Sequence, residues 1–136
     1  MQRYRAKISG PLLDRIDIHV EVPRPDRLPD ARNHPRPESS AVVRRRVIEA
    51  REWQLKRNGV PNALLRGKAL RTHCTLEPVL RDFLEEAAQR MGLSPRGCQR
   101  VLKVARTVAD LDGAAKIGGG HLAEALAYRG MDGGNG

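Results

Sequence analysis

Aromatic side chains are nearly missing from this sequence: one Trp, one Phe and two Tyr make up 3% of its 136 residues. A core without large rings has to be built from Leu, Val, Ile and Ala, with Trp53 and Phe83 as supplements, and aliphatic cores of that kind suit helix-on-helix packing. So few rings also leave nothing to interleave with unpaired bases, which argues against stacking on single-stranded nucleic acid. Cysteine is limited to Cys74 and Cys98. Two thiols without a secretory signal exclude a disulfide-stapled secreted scaffold and point to reduced thiols in the cytosol. No apolar run approaches the roughly 18 residues of a membrane span, so a soluble, cytoplasmic chain with no membrane partner is expected.

Chemistry-bearing motifs are sparse as well. His73, Cys74, Cys98 and His121 contain no C-x-x-C or H-x-x-x-H pair, so no metal site is expected. Cys98 reads instead as a small core residue of its helix. A phosphate-binding loop needs G-x-x-x-x-G-K-[ST], whose glycines let backbone N–H groups wrap the phosphates while the Lys meets the terminal ones. The glycine run at 118–120 leads into His121, without that Lys and hydroxyl residue, and reads as a flexible joint between helices. No Asp-Glu pair follows a hydrophobic strand to hold magnesium. The chain alone is therefore not expected to hydrolyse a nucleotide.

Positive charge is abundant. Lys and Arg outnumber Asp and Glu by 25 to 16, a net charge of +9, which favours polyanionic partners through phosphate contacts and counterion release. The surplus concentrates at Arg44, Arg45, Arg46, Arg51, Lys56 and Arg57. Arg44 and Arg51 share a helix face two turns apart. Two readings stand side by side: a DNA-backbone contact through Arg44, Arg45 and Arg51, or a solvated face with Glu49 and Glu52 as local partners.

The chain divides by pattern. Residues 16–22 alternate apolar and polar, the period of a half-buried strand. No second strand pattern follows, so the segment is an orphan that is expected to be disordered alone. Five prolines between 23 and 37 make a linker over 23–38. The period then becomes helical. A helix capped by Ser39 or Ser40 carries Val43, Val47, Ala50 and Trp53 on its apolar side and ends near Gly59. A short helix is expected over 63–70, interrupted by Gly67. Pro78 opens an amphipathic helix with Val79, Leu80, Phe83, Leu84, Ala87, Ala88 and Met91 as its stripe. Ser94-Pro95 opens another, with Cys98, Val101, Leu102, Ala105, Val108 and Ala109, reaching Gly113. A last helix spans 121–129, and 130–136 reads as a disordered tail. The expected fold class is all-α, a bundle of about five helices over 39–129.

Three stretches taken together, YRAKISGPLLDRID at 4–17, LKVARTVADL at 102–111 and HLAEALAYR at 121–129, resemble the ComM/YifB branch of the magnesium-chelatase-like AAA+ ATPases. The resemblance implies that 1–22 is the end of a nucleotide-binding core and 39–129 the helical lid, so that the chain, opening in mid-segment, is a piece of a longer protein. It also implies ATP and Mg2+ as cofactors of the complete protein, none of them bound by this piece. The implied partners are the chain's own N-terminal core and like subunits in a homo-oligomeric ring, with DNA as the substrate remodelled during recombination or uptake. Arg15 resembles the arginine finger offered to the next subunit's nucleotide; a guanidinium suits that task because it stays charged and spreads over a transferring phosphoryl group. The plain alternative is an Arg paired with Asp14 or Asp17. Arg96 resembles the sensor-2 arginine that a lid offers in cis, placed where the first turn of a helix already favours an anion; the alternative is a solvated surface Arg. Arg100 and Arg106 are secondary candidates. Two other functions remain open: the ATPase of a chelatase-type metal-insertion complex, and a standalone basic helical DNA-binding module.

Overall fold

The computed structural model describes residues 16–18, 20 and 38–129, and within them it contains five α-helices and one turn of 3-10 helix. The first helix, α1 (Ser40–Asn58), starts where Ser39 Oγ accepts the Val42 N–H at 3.2 Å and stops at Gly59. A 3-10 turn (Asn62–Leu64) leads to α2 (Gly67–His73). Gly67 does not interrupt a helix over 63–70, as its low propensity suggested. It is the first residue of α2, with φ of +59°, a left-handed value that residues with a Cβ rarely adopt.

Pro78 supplies the first turn of α3 (Pro78–Met91), and Pro95 that of α4 (Pro95–Leu111), where Ser94 Oγ accepts the Gly97 N–H at 3.0 Å. The last helix, α5 (Gly119–Ala127), begins two residues earlier than its apolar pattern indicated. The glycines read as a flexible joint are its cap, Gly118, and its first two residues. Gly118 donates its N–H to His121 Nδ1 at 2.8 Å, and His121 Nε2 lies 2.9 Å from Asp112 Oδ2. A side-chain acceptor three residues into the helix thus does what a glycine cap cannot do for itself.

The core is aliphatic, as the composition required. Its centre is α4, whose Val101, Ala105 and Ala109 are fully buried, packed against Leu122, Ala125 and Leu126 of α5 and against Leu84 and Ala87 of α3; Leu65, Leu70, Cys74, Leu76 and Ile117 close it. Alanines on both helices of the α4–α5 contact remove the bulk that would hold the backbones apart. The two aromatic supplements are not in it. Phe83 is 40% exposed and Trp53 58%, its ring facing Lys56 with Nζ 5.6 Å from the centroid.

The reason lies in how α1 docks. Its inward face is Ala50, Gln54, Arg57 and Asn58, three of them polar, and hydrogen bonds choose its rotation where the sequence pattern suggested Val43, Val47 and Trp53. Ile16, Asp17, Ile18 and Val20 are not in a strand. The remaining residues of the expected strand, linker and tail lie outside the described residues.

Candidate functional site

Two groups of polar side chains mark the two ends of α4. At its start, Arg96 is exposed in the first turn of a helix with no acidic residue there. Side chains lean toward the N-terminus of their helix, so the guanidinium belongs to the positive end of α4. An exposed fork of donors beside that end suits phosphate oxygens. Arg15, the second candidate, lies outside the described residues, but its neighbours do not. Asp17 Oδ1 is 2.5 Å from Arg100 Nη1, and the Ile16 carbonyl accepts a hydrogen bond from Arg129 Nη1. Asp17 therefore pairs with α4, where the sequence had suggested a partner for Arg15. Arg129 is fully buried at the end of the chain's described part; burial raises the Cys98 thiol, and the charge of Arg129 offsets only part of that rise.

At the far end of α4 a buried hub ties three elements together. Arg57 donates to both carboxylate oxygens of Asp110, Nη1 to Oδ1 at 2.8 Å and Nη2 to Oδ2 at 3.0 Å. Asn62 Nδ2 donates to Asp110 Oδ2 at 2.9 Å and to Thr107 Oγ1 at 3.0 Å, while its Oδ1 accepts from Arg57 Nη2 and Asn58 Nδ2. Gln54 Oε1 accepts the Asn62 N–H at 2.9 Å. Arg106 completes the hub: Nη2 lies 3.0 Å from Asp110 Oδ1, and the guanidinium donates to the carbonyls of Ala114 and Ala115 in the turn after α4. Burial pushes the Asp110 carboxyl up, but hydrogen bonds from Arg57 and Asn62 and the charge of Arg106 outweigh it and hold the pKa below the ordinary value.

These pairings sort the arginines. Arg106 is a buried structural residue and Arg100 is taken up by Asp17, so neither is placed like Arg96. Arg57, counted with the basic face of α1, turns inward to the hub. Arg44, Arg45 and Arg51 stay exposed on α1, with Arg44 and Arg45 beside Glu49 and Glu52 in a shallow groove. Arg46 pairs with Glu38 at 2.7 Å, both about half exposed, a contact of small energetic weight. Among the described residues no three His, Cys, Asp or Glu side chains group as metal ligands, and no helix is long and apolar enough to cross a membrane. Cys74 is buried and Cys98 half-buried.

Sequence reasoning missed Arg129 and the hub. Arg106 and Asp110, four apart on a helix, were a visible signal of a pair; the 53-residue reach from Arg57 to Asp110 was not.

Residues 37–129 match the family described as magnesium chelatase, subunit ChlI C-terminal, and residues 1–28 match magnesium chelatase, subunit ChlI. Competence protein ComM of Haemophilus influenzae is 44% identical over 131 residues, 96% of this chain and 26% of that protein. The uncharacterized proteins YifB of Escherichia coli and Salmonella typhimurium are 44% and 42% identical, again over 96% of this chain and 26% of theirs. The chain thus spans about a quarter of the length of these relatives. With a family match over 37–129, a helical domain over the same residues and relatives of this similarity, the chain belongs to the magnesium-chelatase-like ComM/YifB family and carries its C-terminal domain.

Proposed function

We propose that this chain is the lid of an ATP-driven ring motor, closing over a nucleotide held by a core that the relatives' extra length would supply. Arg96 reads the phosphates of the bound nucleotide in cis, and Arg15 reaches the nucleotide of the next subunit. The observation that carries this reading is the exposed Arg96 in a first turn of α4 that is free of acidic residues. ATP supplies the phosphoryl group that is hydrolysed, with magnesium held by the core; this chain supplies positive charge at the phosphates. The polymer acted on is DNA, met through Arg44, Arg45 and Arg51. The net charge of +9 and the naming of the Haemophilus relative as a competence protein support that choice.

The test is steady-state ATPase of the complete polypeptide. Arg96→Ala is expected to lower turnover about tenfold, and Arg15→Ala about a hundredfold, while this domain stays folded. Unchanged turnover in both sinks the assignment. Binding to duplex and branched DNA at two salt concentrations tests the polymer: Arg44→Ala and Arg51→Ala should each reduce the salt slope by about one. Tight, salt-insensitive binding contradicts it.

A further inference from the structure

Two exposed helix stripes carry opposite charges on the same spacing. On α1, Arg44, Val47, Ile48 and Arg51 stand at i, i+3, i+4 and i+7, and all four are exposed, Val47 by 51% and Ile48 by 46%. On α3, Val79, Asp82, Phe83 and Glu86 repeat that spacing and are exposed as well, Val79 by 77%. Residues so spaced share one helix face, about 10 Å long. Among the described residues, none of Arg44, Arg51, Asp82 and Glu86 has an ion-pair partner. Each stripe thus joins two apolar side chains to two unpaired charges, guanidinium on α1 and carboxylate on α3. Glu52 beside the first and Arg90 beyond the second carry the opposite sign without reversing it. Both stripes are exposed in one molecule, so neither covers the other.

We propose that the Arg44 to Arg51 stripe of α1 docks on the Val79 to Glu86 stripe of α3 in a second copy of this chain, arginines against carboxylates and Val47 and Ile48 against Val79 and Phe83. Charge singles out this occupant and this pairing. Either stripe set against its own like would put arginine on arginine or carboxylate on carboxylate. The contact is therefore head-to-tail, and each copy of a pair keeps its other stripe free for a further copy. Two helical turns against two make a small area, and a net charge of +9 repels copies at long range, so the contact is weak and forms only at close approach. It needs no nucleotide and no core. Arg44 and Arg51 also belong to the DNA contact proposed above, and on that reading a duplex and a second copy exclude each other from α1.

Sedimentation velocity of this chain between about 10 µM and about 1 mM reads the association, and the parent should associate within that range. One variant carries Arg44→Glu with Arg51→Glu, the other Asp82→Lys with Glu86→Lys. Each alone should stay monomeric, because each sets like charges across the contact. Mixed in equal amounts they should associate again, since the acidic α1 of one meets the basic α3 of the other and the two unaltered stripes also match. All four positions are exposed, and helical circular dichroism equal to the parent's separates a lost contact from a lost fold. Val79→Ser should weaken the parent's association about fivefold, which charge attraction without docking would not do. A monomeric parent, association of either variant alone, no recovery on mixing, or indifference to Val79→Ser each overturns the docking. Adding a short DNA duplex should dissolve the parent's association. If the duplex binds and the association persists, the docking stands and it is the DNA reading of Arg44 and Arg51 that falls.

Discussion

Arg57 grips Asp110 with two parallel hydrogen bonds of 2.8 and 3.0 Å, joining the end of α1 to the end of α4 across 53 residues of sequence. Asp110 also answers Arg106 and Asn62, so its removal takes an acceptor from a buried guanidinium and from a buried amide at once. Asp110→Ala is expected to cost about 3 kcal/mol or more. Arg57→Met, which leaves Asp110 with Arg106 and Asn62, should cost about 1–2 kcal/mol. Urea unfolding of the two variants checks the order; equal losses would mean that the hub is held by Arg57 alone.

The same carboxylate makes stability depend on pH. Its folded-state pKa lies below the ordinary 3.8 of the unfolded chain, because Arg57, Asn62 and Arg106 together outweigh burial. The contribution is complete above the unfolded value. As pH falls below it the unfolded chain takes up the proton first, and the contribution is gone once pH passes through the folded value. The urea midpoint should therefore decline from about pH 5 downward, and less steeply in Asp110→Asn. Parallel declines in the two proteins would contradict this.

Thiol reactivity should separate the two cysteines. Burial pushes the Cys74 thiol up to about 11 and raises Cys98 as well, with Arg129 opposing the rise. The thiolate is the nucleophile, so Cys74 is both screened and protonated at pH 8. Iodoacetamide should alkylate half-buried Cys98 first, and Cys74 only through unfolding of the domain. Equal labelling rates in the native chain would show that the core around Cys74 opens locally.

His121 holds the start of α5 by accepting the Gly118 N–H while its other nitrogen meets Asp112. His121→Ala should destabilise the domain by about 1 kcal/mol. His121→Gln keeps a side-chain acceptor at the same helical position and should recover part of the loss. A thermal melt of the three proteins decides, and identical midpoints would exclude a capping role.

The helices were legible because their caps, prolines and apolar periods are local. Ser94-Pro95 and Pro78 open the helices they announced, and α4 carries its stripe where the pattern put it. The rotation of α1 was not legible, because partners far along the chain decide it: Gln54, Arg57 and Asn58 find Asn62 and Asp110, while Val43, Val47 and Trp53 stay exposed. Arg129 was hidden for the same reason, since nothing near it in sequence distinguishes a buried arginine from one that ends a surface helix. Arg96 could be singled out from its cap and its family motif. The contacts of Asp17 with Arg100 and of Ile16 with Arg129 required coordinates.

Residues 38–49 are exposed without a break, and Ala50 is the first buried position of α1. Unwinding that stretch from its Ser39 end disturbs none of the buried core, so the step carries a smaller heat-capacity change and responds less to denaturant than melting of the bundle does. Helical ellipticity should therefore drift downward with temperature well before the calorimetric endotherm begins, because the two signals count different parts of one chain.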